Sequence, residues 1–293
     1  MLIGFFKTIE ILITSHHIAD LKTHLTQLKN KGLKIGFVPT MGALHAGHIS
    51  LVDRAKKDCD TVVVSIFVNP TQFNNASDLA SYPRQEEKDI QTLKENGCDI
   101  VFLPSAEEIY PPGYDSITID LDPIENTMEG AHRPGHFNGV VNVVSRLFKI
   151  IGPHIAYFGR KDFQQVAVIK EMVKQLQFDI KIATVETKRD PNGLAMSSRN
   201  LRLSEQQKEE ATILSQVLKK GKSWANTYSP YQTREKMKTY LSESSLELEY
   251  LQIVHPEDLT DLNQYWVEGA TACIAAFCGD VRLIDNMELV EYT

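Results

Sequence analysis

Short apolar runs alternate with helix-period segments through residues 1–187 of this chain. "KIGFV" (34–38) reads as a strand, and "ISLVDRAKKD" (49–58) repeats its apolar positions at helical spacing. "TVVVSIFV" (61–68) is almost continuously apolar and rich in β-branched residues, the pattern of a strand buried on both faces. "RQEEKDIQTLKENG" (84–97) predicts an exposed helix ending at Gly97, and "CDIVFLP" (98–104) a strand stopped by Pro104. A helix over 140–151, a strand over 154–159, a helix over 161–177 and a strand over 179–187 continue the series. Such alternation predicts an α/β fold, a Rossmann-like doubly wound parallel sheet with helices on both faces.

After the turn signal "DPNG" (190–193) the pattern changes. Ser204 is placed to cap an amphipathic helix over 204–222, and a second helix follows near 232–244. Strands are expected over 246–254, 271–278 and 281–289. Helices followed by strands predict a smaller α+β C-terminal domain, so the chain divides into residues 1–188 and 189–293.

Composition narrows the class. The 293 residues are 42% hydrophobic and 24% charged, ordinary values for soluble globular domains. A net charge of −7 supplies no basic surface for nucleic acid or for anionic membranes. The apolar opening is broken by Lys7 and Glu10, and no stretch approaches the roughly eighteen apolar residues of a membrane span. Cys59, Cys98, Cys273 and Cys278 form no C-x-x-C pair. The odd separation of Cys273 and Cys278 sets them on opposite faces of one strand, so no metal site is expected. A cytoplasmic protein with buried thiols is the expectation.

Ligands of a doubly wound sheet bind beyond the carboxyl ends of its strands, where several unusual stretches fall. In "PTMGALHAGH" (39–48), Gly42, Ala43, Ala46 and Gly47 admit a phosphate to the backbone, and a helix starting near His48 offers free N–H groups. His45 and His48 would donate hydrogen bonds to phosphate oxygens as these gain charge. In "NPTQFN" (69–74), Asn69 and Gln72 bring neutral amides to the cleft mouth, although Asn and Pro also fill ordinary turns. "FGRKDFQQ" (158–165) carries Lys161 for phosphates, Asp162 for a helix cap or a ribose hydroxyl, and Gln165 one turn on. In "KRDPNGLAMSSRNLRLS" (188–204), Met196, Ser197, Ser198 and Arg199 form a loop able to close over a triphosphate, with Arg189 and Arg202 beside it. The alternative is a solvated linker. "EGAHRPGHFNGVVNVV" (129–144), with Arg133 and His136, fits a mobile flap. No P-loop, dinucleotide fingerprint or G-x-S-x-G occurs. Every candidate donates hydrogen bonds or carries positive charge, and none is an activated nucleophile, which points to nucleotidyl transfer.

The five stretches "PTMGALHAGH", "SIFVNPTQF", "RPGHF", "FGRKDFQQ" and "GLAMSSRN", with "RLIDN" (282–286), resemble in order and spacing the pantoate–β-alanine ligases, or pantothenate synthetases. "HAGH" is similar to the H-x-G-H signature of the wider nucleotidylyltransferase superfamily. The resemblance implies a homodimeric cytoplasmic enzyme that first makes pantoyl adenylate and diphosphate from pantoate and ATP. The β-alanine amine then displaces AMP to give pantothenate. It implies an ATP site of Met41, Gly42, Ala43, Leu44, His45, Ala46, Gly47 and His48, with Gly159, Arg160, Lys161 and Asp162 from the third motif. Lys188, Met196, Ser197, Ser198 and Arg199 complete that site, and Mg²⁺ bridges the phosphates without a protein-built metal centre. His48 is implied as proton donor, with His45, Lys161, Ser197, Ser198 and Arg199 stabilising the pentavalent phosphorus. Gln72, Gln165, Met41 and Asn69 are implied to hold pantoate and β-alanine. Lys188, Asn142 and Arg146 depart from the family pattern. Three rivals stand on the residues alone. Adenylylation of a phosphomonoester is disfavoured by the neutral amides, and an aminoacyl-tRNA synthetase fragment by the net charge of −7. The set of His48, Lys161 and Ser197 argues against a module that only binds nucleotide.

Overall fold

A computed structural model describes residues 12–74 and 76–291. Six strands form a parallel sheet: β1 (Ile13–Ser15), β2 (Ile35–Thr40), β3 (Thr61–Ile66), β4 (Ile100–Phe102), β5 (Ile155–Gly159) and β6 (Lys181–Val185). Their order is β1-β4-β3-β2-β5-β6. The helices around this sheet are α1 (Ile18–Asn30), α2 (Ala46–Asp58), α3 (Ala76–Ser81), α4 (Glu86–Glu95), α5 (Ala106–Ile109), α6 (Met128–His132), α7 (His136–Ile151) and α8 (Phe163–Gln175).

The register explains the unbroken apolar strands. Phe37 and Val63 face one core, shared with α1 and α7, while Val38, Val62 and Val64 face another, covered by Leu51, Val52 and Ala55 of α2. Both faces are buried, so neither can be polar. The chain leaves β2 toward β3 on one side, whereas β5 pairs with β2 on the other. That reversal makes a crevice beyond the carboxyl ends of β2 and β5.

The rest of the chain forms α9 (Glu205–Ala211), α10 (Ile213–Trp224), α11 (Pro230–Leu241) and an antiparallel sheet of β7 (Glu247–Val254), β8 (Thr271–Cys278) and β9 (Val281–Glu288). Leu214, Val217 and Met237 of its helices pack on Ile253, Ile274 and Leu283 of its sheet. Cys278 belongs to this core, whereas Cys273 faces the core of the large sheet, as the odd spacing requires. All four cysteines are free thiols. Among the described residues no helix is long and apolar enough to cross a membrane.

Several expectations are corrected. The helix expected over 204–222 breaks at Thr212, whose N–H and hydroxyl both bond to the Glu209 carbonyl, three residues back, and interrupt the regular ladder. α2 begins at Ala46 rather than near His48, and α7 at His136 rather than 140. The pattern also leaves out β1 and α1, a three-residue strand and a helix that buries only Leu21 and Leu25. The opening run over residues 1–11 lies outside the described residues.

Candidate active site

Beyond β2 the backbone turns through Gly42 (φ 81°) and Ala43 (φ 50°), both left-handed, and enters α2 with His45 as its N-cap. Two imidazoles close that helix end reciprocally. His45 Nδ1 accepts from the Gly47 N–H at 3.1 Å, and His48 Nδ1 accepts from the His45 N–H at 3.3 Å. This is a capping box with rings in place of the usual Ser and Glu. A Cβ on Gly47 would lie 2.8 Å from the His45 ring, so glycine is required there. The rings stand 4.1 Å apart, tilted by 43°.

Because each Nδ1 accepts, each ring carries its proton on Nε2. Burial, then the nearby Lys161, pushes His45 down to about 4; burial and then His45 push His48 to about 3. Both are therefore neutral N–H donors at pH 7, on the wall of a cleft of about 760 Å³. The expectation of free backbone donors is corrected. His45 and His48 occupy two of the N–H groups, and the Ala43 and Leu44 N–H groups both bond to the Asp89 carboxylate at 2.8 Å. Asp89 was missed because its segment reads as an exposed helix. The available signal was its position one turn before Leu93, the other buried residue of α4.

Gln72 ends a 3-10 turn (Pro70–Gln72) that Asn69 caps. Asn69 is only 1% exposed. Its Nδ2 donates to Gln72 Oε1 (3.2 Å) and the Gly139 carbonyl (3.1 Å), while its Oδ1 accepts from the hydroxyls of Thr71 and Tyr110, each at 3.0 Å. Its amide is thus fully occupied, and it orients Gln72, whose own NH₂ lies 3.0 Å from Met41 Sδ. Gln165 lines the cleft. Its neighbour Gln164 turns inward, bonding to the Ile124 and Thr127 carbonyls and the Glu129 N–H.

Beyond β5, Gly159 leaves open space where a Cβ would stand. Lys161 Nζ pairs with Asp162 Oδ1 at 2.8 Å, and Asp162 makes no side-chain cap to α8. Burial raises Asp162, but Lys161 overcomes this and holds the carboxyl below its ordinary value. The Arg160 guanidinium goes to Glu186 (3.0 Å) and Glu288. In the serine loop, Ser197 accepts from the Arg199 N–H, and Ser198 Oγ donates to the Ala43 carbonyl at 3.1 Å. Arg199 and Arg202 both bond to Asp78, at 2.9 and 3.1 Å. Lys188 and Met196 line the same cleft, joined by the Met196 N–H on the Lys188 carbonyl at 3.0 Å.

Residues 129–136 form a packed wall rather than a flap. Buried Glu129 accepts from Arg282 (2.7 and 2.9 Å), Arg133 (3.2 Å) and the Tyr250 hydroxyl (2.8 Å). Burial raises its carboxyl, yet Arg282 brings it down to about 2. His136 Nδ1 bonds to the Gln72 carbonyl at 2.8 Å, and burial with Arg133 lowers this ring to about 4. "RLIDN" is the tie from β9: Arg282 holds Glu129, Asp285 holds Arg189 at 2.7 and 2.9 Å, and Asn286 Nδ2 donates to the Arg160 and Lys161 carbonyls. The departing Asn142 pins both backbone groups of Ile117, and Arg146 bonds to the Ile109 carbonyl; neither lines the cleft. Among the described residues no group of three or more His, Cys, Asp or Glu is placed to hold a metal ion.

The chain that builds this cleft has counterparts among known proteins. The family model for pantoate–β-alanine ligase matches residues 13–288. The chain belongs to the pantoate–β-alanine ligase family. A pantothenate synthetase of Bacteroides fragilis is 47% identical over 278 residues, covering 94% of this chain and 98% of that protein. One from Cytophaga hutchinsonii is 48% identical over 286 residues, covering 96% and 99%. The pantothenate synthetase crystal structure from Thermus thermophilus superposes with a TM-score of 0.90 at 40% identity, covering 95% of this chain and 99% of that one. A pantoate–β-alanine ligase of Francisella tularensis, solved with β-γ ATP and β-alanine, gives 0.81 at 38% identity, with 95% and 98% covered. As a member of this family, the chain is a ligase of pantothenate biosynthesis that uses ATP to join pantoate to β-alanine.

Proposed function

We propose that the condensation runs in two displacements within this one cleft. A pantoate carboxylate oxygen attacks the α-phosphorus of ATP, the bond to the β-phosphate oxygen breaks, and diphosphate leaves. The β-alanine amine then attacks the acyl carbon of pantoyl adenylate; AMP leaves and the amine gives up its proton. What carries this reading is the pair of neutral Nε2–H donors lining the same cleft as Lys161, which stands near enough to His45 to lower it. In-line displacement at phosphorus needs positioning and charge stabilisation, and these groups supply both.

In this reading Met41 to His48, Gly159, Lys188 and Met196 cradle the nucleotide, and the open space at Gly159 admits it closely. His45, His48, Lys161, Ser197 and Arg199 face the phosphates. Ser198 holds the serine loop on Ala43, and Arg160 braces the lysine loop from behind. Gln72 and Gln165 bind the hydroxyl and carboxylate groups of pantoate, with Asn69 behind Gln72. Phe67, Val140, Val143 and Leu147 give an apolar wall for its branched carbons. His48 acts as a neutral hydrogen-bond donor, its ring lowered to about 3 by burial and then by His45.

A Mg²⁺ ion bound with ATP would neutralise phosphate charge. Among the described residues no group of three or more His, Cys, Asp or Glu is placed to hold it, and Asp78, Glu129 and Asp162 are each held by a cation. Residues 1–188 form the catalytic domain and 189–293 the lid, a division supported by the separate core of α10, α11 and β7–β9. The free thiols suit a reducing cytoplasm, and the family resemblance supports a homodimer. The test is exchange of labelled pyrophosphate into ATP without β-alanine. Exchange that requires pantoate and Mg²⁺ is expected; bound ATP with no exchange would overturn the adenylate route.

A further inference from the structure

We propose that Asp89 is a positioning residue for adenylate formation: its carboxylate fixes the left-handed turn at Gly42–Ala43 and, through it, the aim of His45 and His48. The inference rests on the reading above that those rings act on the phosphates.

Asp89 is 2% exposed, on a helix whose other acidic residues face solvent or lie partly exposed, and among the described residues no cation stands within ion-pair distance of it. Its two oxygens divide their work. Oδ2 accepts from the Ala43 N–H and Oδ1 from the Leu44 N–H, each at 2.8 Å. Successive N–H groups around a left-handed residue form a concavity that attracts anions, and here a side chain of the protein fills it. Ala43 needs that support. An alanine in the left-handed region brings its Cβ too close to the following carbonyl oxygen, and nothing in its own side chain offsets this. The turn is also held from its other side, where the Ala43 carbonyl accepts from Ser198 Oγ at 3.1 Å. One residue after Leu44 stands His45, whose backbone N–H and ring make the cap. Asp89 itself does not line the cleft, so it acts through the loop and not on a substrate.

Asp89→Asn keeps the shape but leaves one acceptor oxygen and sets an NH₂ against the second backbone donor. Two readouts separate the possibilities. The first is selective ¹⁵N-histidine NMR of the free enzyme, with His45 and His48 assigned from variants. In the parent both rings are fixed Nε2–H tautomers; in Asp89→Asn these two signals are expected to move toward a tautomer mixture while the other histidines stay. The second is pantoate-dependent pyrophosphate exchange, expected to lose about tenfold to a hundredfold in kcat, the scale of a misplaced catalytic group, with the pantoate KM nearly unchanged. Unmoved histidine signals in a folded Asp89→Asn overturn the proposal. Shifted signals with an unchanged rate instead sink the reading of the rings as phosphate donors, and leave the turn's dependence on Asp89 standing. If Asp89→Asn does not fold, Asp89→Glu decides by the same readouts, since it keeps the charge while the longer stem shifts both oxygens off the Ala43 and Leu44 N–H groups.

Discussion

His45 and His48 meet the cleft as neutral rings, whereas Lys161, Arg133, Arg199 and Arg282 meet it as cations already paired with carboxylates. The two walls serve the same anionic ligand by different physics. A neutral ring tolerates burial without a counter-ion, and its hydrogen bond strengthens as charge builds on the phosphate. A buried guanidinium does not tolerate isolation: burial, and then the neighbouring Arg199 and Arg282, lower Arg133 against the pull of Glu129. Asp78, Glu129 and Asp162 keep these cations together before substrate arrives, so a triphosphate reaching Arg199 has to compete with Asp78. One wall is ready as it stands, and the other exchanges partners.

The comparison breaks at its strongest point if Lys161→Ala is mild. Loss of this cation should reduce pyrophosphate exchange about a thousandfold, on the scale of charge stabilisation in phosphoryl transfer, as steady-state rates would show. His48→Ala should cost about a hundredfold. His48→Gln sharpens the point, because glutamine restores a neutral N–H donor but no titrating ring. Recovery of about tenfold over the alanine variant supports a donor role, and no recovery would make His48 a proton donor instead. Gln72→Ala should raise the pantoate KM about tenfold, the worth of one to two hydrogen bonds to a charged group, with kcat within a few-fold; an unchanged KM removes Gln72 from the pantoate site.

The smallest effect is on pH stability. His45, His48 and His136 lie below the ordinary 6.5, at about 4, 3 and 4. The unfolded chain therefore binds protons below about pH 6.5 that the folded chain refuses, and stability falls as the pH drops toward 4. Glu129, lowered to about 2 from 4.5, contributes fully above about pH 4.5 and loses that contribution as the pH falls toward 2. Urea midpoints at pH 7.5 and 5 check the sign. Equal midpoints would mean that the rings are not buried as neutral groups.

How far the sequence reaches differs between these walls. The parallel sheet and its switch point are legible because strands buried on both faces must be apolar throughout, as "TVVVSIFV" is. The histidine motif is legible as a cluster, yet its backbone donors read as free when Asp89 and the rings themselves hold them. A sequence displays charges without their pairings, so Arg160, Arg189, Arg199 and Arg202 look alike although they hold three different carboxylate sets, Arg199 and Arg202 sharing Asp78. Gln164 and Gln165 are indistinguishable in "DFQQ"; both border the cleft, and only the fold shows that the Gln164 amide is spent on the Ile124 and Thr127 carbonyls and the Glu129 N–H. Ala43 carries no sign of its left-handed backbone, since nothing in its side chain favours that conformation.

The two hydrogen bonds from Asn286 to the carbonyls of Arg160 and Lys161 have a consequence for the order in which the chain is made. Synthesis delivers β2, β5 and every strand of the large sheet more than a hundred residues before Asn286, and early segments fold as they emerge. A growing chain thus carries a finished nucleotide crevice while its lysine loop still lacks the brace from β9. Competence arrives with the ninth strand, and a ribosome-bound intermediate stalled before residue 286 should bind nucleotide without turning it over.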